Sequence, residues 1–300
     1  MIYFALSVFF TVCLYLIMRA YPSHRVNSFH AVVVNYYACV LTGLVLTPDL
    51  NIFSQIDYSS KASLLTLSLG ALFIAIFLLI GLTAQKVSVT ASSLAANMSL
   101  VIPVVFGLFI FQNNNKVFTP LNYAGIVLAL VALTLGGIKK NSTQHQRRNL
   151  WLLSLPILTF IGTGTNNTLI NYLTFTYYSP SQSTVFMIIA CSGAALIGTL
   201  LLATSIWKTK EMLSIRSIMG GVLLGIPNFL SLYFLLKALQ IFANSAAFVF
   251  PIYNILTMLV SSVAAWLLYK EKLSGLNRLG LLVAIISVIL ISYQELGISI

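Results

Sequence analysis

Charge is what this 300-residue chain has least of: Asp, Glu, Lys and Arg together make up 7% of it, against about a quarter in soluble globular domains. So few charges cannot build a hydrated surface, which excludes an ordinary soluble fold. Only Asp49, Asp57, Glu211, Glu271 and Glu295 are acidic, and none lies inside an apolar run. Cys13, Cys39 and Cys191 are far apart in apolar surroundings, so they read as small core residues and not as a disulfide framework. His24, His30 and His145 are scattered, and no paired carboxylates accompany them. Acid–base and metal chemistry therefore lack their usual groups; an enzyme is not expected, and neither a metal nor a cofactor is implied. A positive leader is also missing, since the first cation, Arg19, follows the first apolar run. That run is expected to be a retained helix rather than a secretory signal.

What is present is apolar length. Hydrophobic residues make up 59% of the chain, in continuous rather than alternating stretches, each long enough as a helix to cross about 30 Å of hydrocarbon. Reading between the charges predicts spans at Tyr3 to Met18, Phe29 to Thr47, Leu64 to Ala84, Val89 to Phe111 and Leu121 to Ile138. After the polar break Lys139 to Asn149 come Leu150 to Phe175, Thr184 to Ile206, Ile218 to Lys237, Ala243 to Tyr269 and Leu276 to Tyr293. The uncharged stretch Asn149 to Trp207 is divided only by the turn signal Tyr177-Tyr178-Ser179-Pro180, which leaves nine or eleven spans as alternatives.

Basic residues orient such a bundle, because Lys and Arg accumulate in short cytoplasmic loops. Thirteen of the 16 fall after odd-numbered spans, and only Lys61, Lys116 and Lys237 elsewhere. Both termini are therefore expected on the non-cytoplasmic side of the cell (inner or plasma) membrane. The net charge of +11 is spread over loops that meet an anionic leaflet, so membrane lipids are the expected partners and a nucleic acid is not.

The chain is also doubled. Sliding it by 155 residues brings Leu69-Gly70 onto Leu224-Gly225, Gln85 onto Gln240, Thr90-Ala91 onto Ser245-Ala246, Thr119 onto Ser274, Asn122 onto Asn277 and Gly125 onto Gly280. Five spans per copy, an odd count, place the second copy upside down. The predicted fold class is an all-α polytopic membrane protein of ten transmembrane helices in two inverted five-helix repeats, residues 1–140 and 150–300, joined by a basic linker at 141–149. Such inverted repeats underlie alternating-access transport. One chain already holds both halves of a pathway, so a monomer suffices.

The segment Tyr233 to Leu290, with Ala238-Leu239-Gln240, Asn244-Ser245-Ala246-Ala247, Pro251, Glu271-Lys272-Leu273-Ser274 and Gly280, resembles the second repeat of EamA-type proteins of the drug/metabolite transporter superfamily. In the first copy Gln85, Thr90-Ala91, Thr119 and Gly125 stand in register, but Asn115 and Lys116 occupy the place where members often carry an acid. The resemblance implies ten helices around a central cavity that moves small organic metabolites or amino acids, commonly outward.

With no carboxylate inside a span, proton coupling lacks its usual group, which argues for facilitated exchange. Neutral polar residues are the candidates for binding a small-molecule substrate. On the sixth span Thr163, Asn167 and Asn171 recur every four residues on one face, widened by Asn166 and Thr168. Thr90, Ser93 and Asn97 share a face of the fourth span; Tyr253, Asn254 and Thr257 cluster on the ninth, and Asn35, Cys39 and Thr42 on the second. Such groups can bind a polar solute without burying a charge, or they can join helix to helix. Lys237 suits an anionic substrate, or snorkels to the headgroups. Glu271, between Lys270 and Lys272, reads most simply as an anchor for the end of the ninth span, and Gly162, Gly164, Gly221 and Gly225 as close helix packing. The alternative to a polar-solute carrier is a flippase for an amphiphilic or lipid-linked substrate.

Overall fold

The computed structural model describes residues 2–47, 50–103, 106, 119–137, 150–179, 182–241, 246–294 and 297. Among these residues the chain is all-α, with ten helices: α1 (Ile2–Ala20), α2 (Ser28–Leu46), α3 (Lys61–Lys86), α4 (Val89–Met98), α5 (Pro120–Gly137), α6 (Leu150–Tyr177), α7 (Ser183–Thr209), α8 (Ile215–Ile241), α9 (Ala246–Tyr269) and α10 (Gly275–Ser292). Short 3₁₀ turns at Tyr21–His24 and Leu50–Gln55 follow α1 and α2. Seven helices, α1–α3 and α7–α10, are long and apolar enough to cross a bilayer. The protein is a polytopic membrane protein in composition and architecture.

The helices begin where the sequence offers a cap. Asn27 Oδ1 accepts from Phe29 N and His30 N, Ser60 Oγ from Ser63 N, Ser88 Oγ from Ala91 N and Ser214 Oγ from Ser217 N. Ser274 and Asn277 form a reciprocal capping box at α10. Each satisfies donors that a helix start leaves open, which lipid could not satisfy.

Successive helices run in opposite directions, as contacts at the two ends show. One end gathers the C-terminus of α1 with the N-terminus of α8 (Tyr21 OH to Gly220 O, 2.9 Å) and the C-terminus of α3 with the N-terminus of α2 (Gln85 Nε2 to Ser28 Oγ, 2.9 Å). The other gathers the N-terminus of α3 with the C-terminus of α6 (Thr66 Oγ1 to Tyr178 OH, 2.9 Å) and that of α5 with the C-terminus of α10 (Thr119 Oγ1 to Tyr293 OH, 2.8 Å). The first of these is the basic end: it carries Arg19, Arg25, Lys86, Lys208, Lys210, Arg216, Lys270, Lys272 and Arg278, whereas the opposite end carries Lys61 and Lys237 among the described residues. Trp151, Trp207 and Trp266, all exposed, also ring the basic end, as expected for an interfacial belt.

Glycines let the central helices cross in near backbone contact. A Cβ on Gly70 of α3 would collide with the backbone of Gly193 and Ala194 on α7, and one on Gly225 of α8 with Asn35 O and Ala38 of α2. Around these crossings α2 packs on α7 and α8, α3 on α6 and α7, α1 on α8 and α9, α4 on α6 and α9, and α5 on α10. One asymmetry stands out among the described residues: α1 packs against α3, whereas α6 shares no comparable interface with α8.

The fourth span departs from a continuous helix. α4 ends at Met98, the chain turns through Ser99 and Leu100, and helix resumes over Val101 to Pro103. Eight residues separate Val89 at the basic end from Asn97, about 12 Å at 1.5 Å per residue, so the break falls near the bilayer centre. Irregular backbone at that depth must be buried in protein or line a cavity. Both hold here, since Ser99 is fully buried and a small recess beside the break is lined by Asn97, Leu100, Val101, Ile291 and Ser292.

Candidate functional site

The polar side chains gather where α1, α4 and α9 meet. Ser7, Thr11 and Tyr15 lie at four-residue intervals on α1, forming one stripe. Thr11 Oγ1 and the hydroxyl of Tyr253 on α9 are 2.5 Å apart. Ser7 Oγ donates to Ser231 O of α8 at 2.8 Å. Deeper in, the Tyr15 hydroxyl interacts with the side chain of Asn97 and lies near Tyr253. Asn97 Nδ2 in turn donates to Ser93 O at 2.6 Å, and Ser93 Oγ lies 2.6 Å from Ser261 Oγ of α9. The result is a continuous polar track of hydroxyls, phenols and one amide, with no formal charge. Phe4 meets the edge of the Tyr253 ring, its centroid 6.5 Å away, and Phe10 and Tyr3 stack on Phe234, so aromatic rings border the track toward the opposite end.

Of the predicted site residues, the structure brings Asn97, Tyr253 and Asn254 to this junction or beside it; Asn97 and Asn254 are each 6% exposed and Tyr253 is half-buried. Thr257 is fully buried one turn below Tyr253 and interacts with the Tyr253 hydroxyl. Thr163 and Asn167 lie half-buried along α6, which packs on α4, while Asn171 is exposed. Thr163 Oγ1 and Asn166 Oδ1 are buried without a partner. Orphaned polar atoms cost free energy unless a solute or water meets them, so this α6 face is a second polar wall with unmet hydrogen-bonding capacity.

Asn35 and Lys237 stand apart. Asn35 Oδ1 accepts from Asn228 Nδ2 of α8 at 3.1 Å, and the thiol of Cys39 beside it donates to Gly225 O, all within the α2–α8 interface. These bonds join α2 to α8, while Asn35 Nδ2, like the orphaned atoms of α6, is buried without a partner. Lys237 is half-buried toward the opposite end, with Nζ 5.7 Å from the Tyr233 ring centroid, a cation–π contact suited to a snorkelling lysine.

Sequence reasoning missed the α1 stripe of Ser7, Thr11 and Tyr15, although the four-residue spacing that singled out α6 applies to it equally. It also missed the role of Glu271, whose carboxylate accepts from Val89 N at 3.1 Å and Thr90 N at 3.4 Å, capping α4 from a loop about 180 residues further along the chain. Among the described residues no three His, Cys, Asp or Glu side chains come together as a metal site.

The chain matches no family model. It is 25% identical over 277 residues to an uncharacterised protein of Haemophilus influenzae, an alignment that covers 88% of each chain. Its fold is that of a protein of known crystal structure, with a TM-score of 0.56 over 98% of this chain and 96% of the other at 12% identity.

Proposed function

We propose that this chain is a transporter of small polar metabolites or amino acids, working by alternating access as efflux or facilitated exchange, and built like EamA-type proteins from two inverted repeats, residues 1–140 and 150–300. The observation that carries this reading is a duplication of tertiary contacts at the same 155-residue offset found in the sequence. A Cβ on Gly43 would meet Ile188 and Phe229; one on Gly198 would meet Val33 and Ile74, each position the counterpart of one in the first set. Likewise Asn122 Nδ2 donates to Leu290 O and Asn277 Nδ2 to Leu135 O. Gly70 against Gly193 corresponds in the same way to Gly225 against Ala38. Two halves whose contacts interchange can exchange conformations, and that exchange is what exposes a central site to alternate sides. The uncharged track between α1, α4 and α9 and the unmet polar atoms of α6 suit a small hydrogen-bonding solute.

The test is flux into vesicles reconstituted with the purified protein, scored against panels of amino acids and small metabolites. Saturable uptake is expected, with Tyr253→Phe and Asn167→Ala each weakening apparent affinity by about two- to tenfold, the range for one lost hydrogen bond to a polar solute. Scrambling of a lipid probe with no solute flux would overturn the carrier in favour of the flippase.

The gathering of cations and tryptophans at one end supports a cytoplasmic location for that end and an external location for both termini. In a cysteine-free background, Lys61→Cys should react with an impermeant maleimide only from outside and Lys272→Cys only from the cytoplasm. Labelling of both from one side would contradict the alternation of the helices.

A further inference from the structure

We propose that Glu271 is the latch of a gate that closes the pathway at the basic end. This rests on the transport reading above and adds to it the element that must break for the chamber to open on that side. The two helices lining the polar track most closely, α4 with Asn97 and α9 with Tyr253, are tied at their basic ends by the Glu271 carboxylate, which accepts from Val89 N at 3.1 Å and Thr90 N at 3.4 Å. Beneath that tie the Ser93–Ser261 hydrogen bond, 2.6 Å, is the one side-chain hydrogen bond between the same two helices among the described residues, beside the apolar packing of Leu94 and Met98 with Met258. A solute moving from the basic end to Asn97 must part both.

The remainder of the closure is built around the same loop. Lys270, in the left-handed region at φ 52°, turns the chain sharply between Tyr269 and Glu271. Tyr269 is thereby directed to α1, where its hydroxyl donates to Leu16 O at 2.6 Å, while Glu271 is directed to α4. Arg19 lies over the Tyr269 ring, 6.0 Å from its centroid, and donates to Gln85 O at 2.6 Å, and Gln85 donates back to Met18 O at 2.8 Å. These contacts together draw α1, α3, α4 and α9 to one another at one end. The packing of α1 on α3, without a comparable α6–α8 interface, is the wider counterpart of this closure. Glu271 is suited to release because it sits half-exposed on a short non-helical segment. Water can replace the carboxylate at the first turn of α4, so the bond is strong when made and cheap to exchange.

The experiment uses the full chain without its native cysteines, carrying Thr257→Cys below the latch and the Ser93–Ser261 bond, in membrane vesicles of each orientation. The rate of modification by an impermeant maleimide is read from either side. Glu271→Gln, which keeps the shape and loses the charge, is expected to raise labelling from the basic end about tenfold, corresponding to the loss of a charge-assisted bond, and to leave or lower it from the opposite end. Lys272→Gln, an exposed neighbour, serves as control and should change neither. If Glu271→Gln fails to accumulate, Tyr269→Phe removes only the bond to Leu16 O and must act in the same direction with a smaller rise. Unchanged labelling, or an equal rise from both ends, overturns the latch. Solute flux is measured separately: flux with unchanged labelling sinks the latch alone, and raised labelling without flux for any solute sinks the carrier while the latch stands.

Discussion

Gly70→Leu is expected to abolish accumulation of the folded protein, or to lower its unfolding midpoint in detergent by the largest amount of any single change considered. A Cβ there would overlap backbone atoms of Gly193 and Ala194, not the end of a flexible side chain. Backbone cannot rotate aside, so α3 and α7 would have to separate and uncover the packing along their whole interface. Overpacking of a well-packed core costs about 1–3 kcal/mol when side chains can adjust, and more when they cannot. Gly193→Leu should behave alike, because its Cβ would meet Leu67 O and neighbouring backbone. Gly275→Ala is the control: nothing lies within 4 Å of the added methyl, and a change below about 0.5 kcal/mol is expected. A Gly70→Leu protein as stable as this control would refute the close crossing of α3 and α7.

The second large effect is an inequality between two equivalent asparagines. Asn122 is 1% exposed; its Oδ1 accepts from Thr119 N and Oγ1, both at 2.9 Å, and its Nδ2 donates to Ile291 O at 2.9 Å and Leu290 O at 3.2 Å. Asn277 caps α10 in the same way and also bonds across to α5, Leu135 O among its partners, but it is half-buried, so water reaches the groups that its loss would leave open. Asn122→Ala leaves buried groups of both signs without partners, in surroundings where water does not replace them. Interhelical hydrogen bonds in membranes average well under the values expected for hydrocarbon, so the cost is put at about 2 kcal/mol for Asn122→Ala and about 1 kcal/mol for Asn277→Ala. Reversible unfolding of the two variants in mixed micelles reads the difference directly. Equal losses, or a larger loss at Asn277, would contradict the deeper burial of Asn122.

How far this molecule was legible in its sequence differs from one element to the next. Helix number and most boundaries follow from hydropathy and charge: Leu276 to Tyr293 was expected and Gly275–Ser292 is found, Leu121 to Ile138 was expected and Pro120–Gly137 is found. Lipid accepts only helices with their backbone bonds made, so apolar length translates into structure almost without competition. The fourth span shows where this stops. Val89 to Phe111 reads as one apolar run, yet the helix breaks at Ser99 and Leu100, where Pro103 has no N–H to give the Ser99 carbonyl four residues back and its ring crowds that carbonyl, an effect that hydropathy does not register. Phe111 itself lies outside the described residues.

The candidate site was legible as a set of residue types and not as a place. Periodicity tells which residues share a helix face, but it says nothing about which helix that face meets. Asn97 and Tyr253 were expected on separate helices and are found at one junction, while Asn35, expected by the same rule, faces α8 and pairs with Asn228. Glu271 was read through its neighbours Lys270 and Lys272; its partners, two backbone amides of α4, carry no mark in the sequence at all.

The glycine crossings have a consequence for how such a protein can diversify. At Gly70 and Gly193 between α3 and α7, and at Gly225 between α8 and α2, there is no room for a side chain, so those four helices form a chassis that tolerates almost no substitution at these points. The polar track belongs instead to α1, α4 and α9, and the second polar wall to α6, all outside those seams. The hydroxyls and amides on those helices can therefore be exchanged for other side chains of similar size without forcing backbones apart, a freedom that the glycine crossings do not have.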